Sequence, residues 1–309
     1  MNNIKPNNQR DFLFDNLKAI LLILVIFGHA IEFVIYNSNG IVKYIYTALY
    51  IFHMPVFIFI SGYFSKKHNT KKLISLILTY VLWQELIYPF LLSIVTHKSF
   101  FDVYRPIYHP QASYWYLLAL IIWRALIPYL NKIKCIVPLS IFISLTFGFY
   151  KLNFDLRYFA LGRLIVFFPF FLLGYKCSQE TIQKWRKDKR KVLNTIIFIT
   201  IISLFTLLIH SLKKYGVNPE RPNRILMPHY YYYQCYKSIT LSFVMKVLLF
   251  VVQLISIPLM FKIVSSKPSF LSNIGRYSLP IYLLHMIVVH GIRVNFLKGL
   301  TFTDANLFT

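Results

Sequence analysis

Lys18, His29 and Glu32 stand along one apolar stretch that begins at Asp15, and their side chains are of types that move protons and hold anions. Lys18 and His29 are eleven residues apart. At about 100° per residue that separation ends about 20° past three full turns, so a helix sets both on one face, about 16 Å apart. Glu32 follows three residues after His29, a spacing that lets a carboxylate pair with an imidazole. A carboxylate on one ring nitrogen fixes the tautomer and leaves the other nitrogen to take a proton from an alcohol, which is general-base chemistry. His53 and His285 lie in other apolar runs at comparable depth, and Glu85, Arg124 and Arg163 are also embedded in such runs. Ionisable groups in such runs mark function by default, although a histidine can also serve as an interhelical hydrogen-bonding group and a charge can belong to a structural ion pair.

Other chemistries find no support. The histidines come from separate runs without His-x-x-x-His or Glu-x-x-His spacing, so no metal site is expected. Cys135, Cys177 and Cys235 show neither metal-ligand nor disulfide spacing and read as structural. There is no Walker motif, Gly-x-Ser-x-Gly elbow or dinucleotide fingerprint, and no bound cofactor is expected.

The elements that must position these residues follow from composition. The 309 residues are 57% hydrophobic and 18% aromatic, with 14% charged. Several runs reach the roughly 20 residues needed to cross a bilayer, so the chain reads as all-α, a polytopic transmembrane helical bundle in contact with lipid. Nine spans are expected, at about 14–36, 42–64, 73–95, 114–130, 135–150, 158–176, 192–211, 239–263 and 278–296. A polar arm, 1–13, precedes them, and a tight turn is expected at Asn37-Ser38-Asn39-Gly40. The first helix is too long for a signal-peptide core and reads as retained.

The net charge of +24 would suggest nucleic acid in a soluble protein, but the basic residues sit between apolar runs and form no nucleic-acid motif. Anionic lipid headgroups or a phosphate-rich substrate account for them instead. The densest clusters, at 66–72, 132–134, 176–191 and 262–276, fall on one side, so a cytoplasmic N-terminus in a bacterial plasma membrane is expected. A Pro-containing loop over 212–237 carries Tyr230-Tyr231-Tyr232-Tyr233, which reads as an interfacial aromatic belt.

Five motifs in order carry a family resemblance. They are Lys18-x10-His29; Phe52-His53-Met54-Pro55-Val56-Phe57-Ile58-Phe59-Ile60-Ser61-Gly62-Tyr63; Tyr114-Trp115-Tyr116-Leu117-Leu118-Ala119-Leu120 with Arg124; Gly162-Arg163 with Phe167-Phe168-Pro169-Phe170-Phe171-Leu172-Leu173-Gly174-Tyr175; and Ile274-Gly275-Arg276-Tyr277-Ser278-Leu279-Pro280-Ile281-Tyr282-Leu283-Leu284-His285. Over about residues 11–290 the chain resembles the acyltransferase family 3 membrane proteins, in wording nearest the fucose 4-O-acetylase-like branch.

The resemblance implies transfer of an acyl group, usually acetyl, from a cytoplasmic acyl-coenzyme A such as acetyl-CoA to a hydroxyl of a cell-surface or lipid-linked glycan. It implies His29 as the catalytic histidine and Lys18, Lys71 and Lys72 as acyl-donor contacts, the last two against coenzyme A phosphates. Arg163 and His285 match recurrent family positions without an assigned role, and His53 joins them as a further candidate. Glu32 as the group that orients His29 is inferred from spacing alone. Lys18 stands where arginine is commoner, which keeps the charge but not the bidentate geometry. The whole chain, 1–309, reads as one integral-membrane acyltransferase domain, with the last of the family's usual ten helices expected to be missing. Polysaccharide-synthesis machinery is a conceivable partner. The competing reading is a proton-coupled glycan or small-molecule transporter, in which the same buried groups relay protons.

Overall fold

A bilayer offers backbone N–H and C=O groups no water, so apolar runs of this length satisfy themselves as helices. The computed structural model describes residues 11–32, 35, 40–67, 69–150, 153–217 and 222–296. The chain forms α1 (Phe12–Glu32), α2 (Ile41–Tyr63), α3 (Thr70–Thr96), α4 (Trp115–Leu130), α5 (Ile136–Thr146) and α6 (Leu161–Lys176). After these come α7 (Gln179–Arg186), α8 (Lys191–Ser211), α9 (Ile239–Ile263), α10 (Phe270–Arg276) and α11 (Ser278–Phe296). Among the described residues seven helices are long and apolar enough to cross a membrane, or eight if the bent pair α10–α11 counts as one span. The protein is an all-α, multi-pass membrane protein.

The count differs from nine mainly at the fifth expected span, 135–150. There the helix is only 11 residues long, because Phe147 leaves helical geometry (φ −60°, ψ 136°). Two stretches expected as basic loops hold short helices instead. Within 176–191, Ser178 caps α7 by accepting from the Thr181 amide. Within 262–276, α10 runs at 85° to α11. The expected turn at Asn37-Ser38-Asn39, most of the polar arm, Pro219 and the segment from 297 to Thr309 lie outside the described residues.

Two contacts set the frame. Gly62 of α2 and Gly174 of α6 face each other so closely that a Cβ on either would lie 1.9 Å from a carbonyl oxygen of the other helix, Phe171 or Phe59. Lipid supplies no hydrophobic drive for helix pairing, so close backbone approach of this kind is what holds membrane helices together. At the Phe12 end of α1, buried Asn16 donates to the carbonyls of Ser265 and Lys267 and accepts from the hydroxyls of Ser269 and Ser272. All four hydrogen-bonding positions of the amide are filled, so α1 and the start of α10 are locked together.

Helix α3 widens into a π-type turn at Trp83–Ile87, where the Tyr88 amide reaches back to the Trp83 carbonyl just before Pro89. Such widenings recur at functional sites. This one carries Gln84, fully buried, whose side chain donates to the carbonyls of Arg105 and His109 and accepts from the Gln111 amide. Gln84 thereby pins the 105–111 loop over the Glu32 end of the bundle.

Candidate functional site

One face of α1 reads Lys18, Leu22, Val25, His29, Glu32, each three or four residues from the last, as the helical period requires. From Leu22 to Glu32 this face lines a cavity of about 290 Å³ at the Glu32 end of the bundle. His29 Nδ1 and Glu32 Oε2 are 3.2 Å apart, and the Tyr46 hydroxyl donates to Glu32 Oε1 at 3.3 Å. A carboxylate oxygen accepts, so Nδ1 carries the ring proton and Nε2 the lone pair. Tyr46 stacks on Tyr50, which in turn meets His53 edge-on. His53 Nδ1 donates to the Leu49 carbonyl at 2.6 Å, which leaves its Nε2 as an acceptor as well.

The opposite wall is built from sequence far away. Arg163 near the start of α6 donates from Nη2 to His229 Nδ1 at 3.1 Å and lies 5.0 Å from the Trp115 ring centre. A guanidinium can only donate, so His229 is held neutral with its proton on Nε2. Burial and the nearby Arg163 charge push the His229 imidazole well below its ordinary range. Gly162 makes this meeting possible: a Cβ there would lie 1.9 Å from the Pro228 carbonyl oxygen, so only glycine lets the 226–230 loop settle on α6. Arg105, His109, Arg157, Met227 and Tyr230 complete the loop side, and Tyr282, Met286, His290 and Arg293 of α11 close the cavity. Burial, with Arg157 nearby, lowers the His109 imidazole also.

The expected residues divide. His29, Glu32, His53 and Arg163 line the cavity together. His285 sits beside it, its ring centre 5.6 Å from that of His29, with Nδ1 donating to the Tyr282 carbonyl and Nε2 buried without a partner among the described residues. Lys18 lies one turn below Leu22, paired with Asp15 at 2.8 Å and 5.9 Å from the Phe64 ring centre. Lys71 and Lys72 are exposed in the first turn of α3, outside the cavity.

Two readings need correction. Glu85, Arg124 and Arg163 form no ion pair among the described residues: Glu85 accepts from the Tyr104 hydroxyl, Arg124 donates to Ser65, and Arg163 uses His229. Neutral partners engage these groups, although Glu85 Oε1 stays buried without a hydrogen bond among the described residues. Two of the tyrosines at 230–233 turn inward instead of joining a belt. Tyr230 lines the cavity, and Tyr232 is buried beneath the ammonium of Lys246, 3.7 Å from its ring centre. The 212–237 loop folds inward because Lys246, itself buried in α9, needs acceptors and finds the Phe147 carbonyl and that ring.

Several lining residues carried no weight in the sequence reading. Tyr46 and Tyr50 share a helical stripe of α2 with the expected His53, and Tyr282, Met286, His290 and Arg293 form another on α11; periodicity at three and four residues was the available signal. His229 follows a proline in a loop with no period, so nothing local marks it. Among the described residues no group of three His, Cys, Asp or Glu could hold a metal ion.

A family model described as an acyltransferase domain matches residues 12–306. Among curated proteins, the nodulation protein NolL of Mesorhizobium japonicum is 28% identical over 188 residues, which is 56% of this chain and 49% of that protein. The NolL of Sinorhizobium fredii is 48% identical over 58 residues, 18% of this chain and 16% of that protein. The chain therefore spans at most about half the length of these relatives. No solved structure matches it.

Proposed function

The chain belongs to the acyltransferase family, and from that premise we propose that it is a membrane O-acyltransferase. It moves an acyl group, in our reading acetyl from acetyl-coenzyme A, to a hydroxyl of a cell-surface or lipid-linked glycan. The observation that carries this reading is the His29–Glu32 pair on a cavity wall, with the lone pair of His29 on Nε2. In the proposed step, Nε2 takes the proton of the acceptor hydroxyl as its oxygen bonds to the thioester carbonyl carbon. The tetrahedral intermediate then breaks its C–S bond, and the proton returns from the imidazolium to the departing thiolate. The products are an ester and free coenzyme A. Glu32 stabilises the imidazolium while it exists, and Tyr46 holds Glu32 in place.

Lys18 is the donor-side cation in this reading. It lies on the same face of α1 as His29 but at the opposite end of the helix, about 16 Å away by helical rise. Basic stretches 66–72, 132–134, 176–191 and 262–276 share that end, and cytoplasmic loops carry such an excess, so the N-terminus is assigned to the cytoplasm of a bacterial cell. Lys71 and Lys72, exposed there, would meet coenzyme A phosphates before the acyl group reaches the cavity.

The test is transfer of radiolabelled acetyl from acetyl-coenzyme A into envelope glycan by membranes holding wild type or His29→Ala at matched abundance. Label that depends on His29 is the expected result. Equal label from both, with other transferases removed, would take His29 out of the chemistry, and no label from wild type would turn the reading toward transport.

A further inference from the structure

The cavity is lined by four arginines, Arg105, Arg157, Arg163 and Arg293, against one carboxylate, Glu32. Glu32 is already engaged, one oxygen by His29 and the other by Tyr46. Arg157 is paired with Asp155 at 2.8 Å, and Arg105 donates to the Tyr104 carbonyl. Arg163 differs from both. Its described partners, the His229 ring nitrogen and the Trp115 face, orient the guanidinium without cancelling its charge. Helix α6, which carries it, is apolar and long enough to span a membrane, where a cation without a bonded anion is expensive and is kept for a function. The Glu32 carboxylate offsets Arg163 only from a distance, across the cavity. The planar fork of a guanidinium matches a carboxylate or a phosphate better than it matches a neutral hydroxyl.

Resting on the acyltransferase reading, we propose that the acceptor is an anionic sugar, whose carboxylate or phosphate binds Arg163 while the hydroxyl to be acylated lies at His29. Tyr230, on the cavity wall, offers its ring to the sugar. His229 acts as a positioning residue: it accepts from Nη2 and so fixes which edge of the guanidinium faces the cavity. Arg157, Arg105 and Arg293 add a positive field that draws an anion in.

The experiment is calorimetric titration of the purified full-length protein in a neutral detergent with four probes: methyl glucoside, methyl glucuronoside, glucose 1-phosphate and coenzyme A. The expected result is that glucuronoside or glucose 1-phosphate binds at least tenfold more tightly than the neutral glucoside, and that whichever of the two binds tighter names the anion. The gap narrows with added salt, disappears in Arg163→Gln and is partly kept in Arg163→Lys. Equal binding of charged and neutral sugars, or no binding of either anion at 50-fold above the concentration at which coenzyme A saturates, would overturn the proposal. So would competition between coenzyme A and the glucuronoside that vanishes in Arg163→Gln, since the anion would then be the donor's. The wild-type comparison needs no variant, so a misfolded Arg163→Gln does not spoil the test. His29→Ala separates the two readings: it should abolish acetyl transfer and leave the anion preference intact. Transfer that persists in Arg163→Gln to a neutral glycan would keep the acyltransferase and discard the anionic acceptor.

Discussion

Replacing Glu32 with glutamine tests the His29 pair most directly. The substitution keeps the size of the side chain and removes its charge. In the native site the two oxygens each accept one bond, from His29 at 3.2 Å and from Tyr46 at 3.3 Å. An amide has a single oxygen, so one neighbour must face the NH₂ group. The Tyr46 hydroxyl can rotate to accept from it, which keeps the amide oxygen on His29 Nδ1 and preserves the tautomer. What is lost is charge assistance to the imidazolium formed during transfer. A hydrogen bond to a charged partner contributes about 1.5–3 kcal/mol against about 1 for a neutral one, a difference of about 0.5–2 kcal/mol. At about 1.4 kcal/mol per factor of ten, turnover falls about 2- to 30-fold. If the amide turns the other way, the proton moves to Nε2 and the loss is on the order of 10⁴, as for a triad histidine held in the wrong tautomer. Adding Tyr46→Phe removes the competition for the oxygen and restores the smaller loss. The assay is the initial rate of labelled acetyl transfer into glycan at matched protein abundance. A Glu32→Gln rate within twofold of wild type would refute the reasoning, because Glu32 would then do nothing for His29 during transfer.

Three further outcomes follow from the same geometry. Lys18→Gln removes the cation at the donor end of α1 and should raise KM for acetyl-coenzyme A about tenfold with kcat little changed, whereas Lys18→Arg keeps the charge and recovers most of the loss; a kcat defect with unaltered KM would contradict a donor-binding role. His229 is held below its ordinary range, so the unfolded chain binds a proton at mildly acidic pH that folded His229 refuses; stability is full above about pH 6.5 and declines as pH falls below it, and thermal midpoints between pH 7.5 and 5 should drop more steeply for wild type than for His229→Asn. Gly62→Ala puts a methyl 1.9 Å from the Phe171 carbonyl and forces α2 and α6 apart, at about 3 kcal/mol or more, so the denaturation midpoint in detergent should fall by several degrees; an unchanged midpoint would mean that the two helices do not touch there.

What was legible in the sequence is what local period controls. A run of apolar residues long enough for a bilayer has one way to satisfy its backbone, so α1, α2, α9 and α11 fall within a few residues of their expected bounds. The same period places Lys18 and His29 on one face and Glu32 within reach of the imidazole, whatever surrounds α1. Ordered motifs carried the family, because a family signature is itself a string of local patterns. Other features needed the folded chain. Helix α5 ends early where Phe147 turns away, and α10 sits at an angle because Asn16, more than 240 residues earlier, holds Ser265 through Ser272. Arg163 and His229 are 66 residues apart and meet only because Gly162 admits the Pro228 carbonyl. The inward fold of the tyrosine loop depends on a lysine buried in another helix. Helical spacing decides which side chains share a face, but which faces meet is decided by packing between helices. Hydrogen-bond partners for buried polar groups are chosen there, across distances in sequence that no local pattern records.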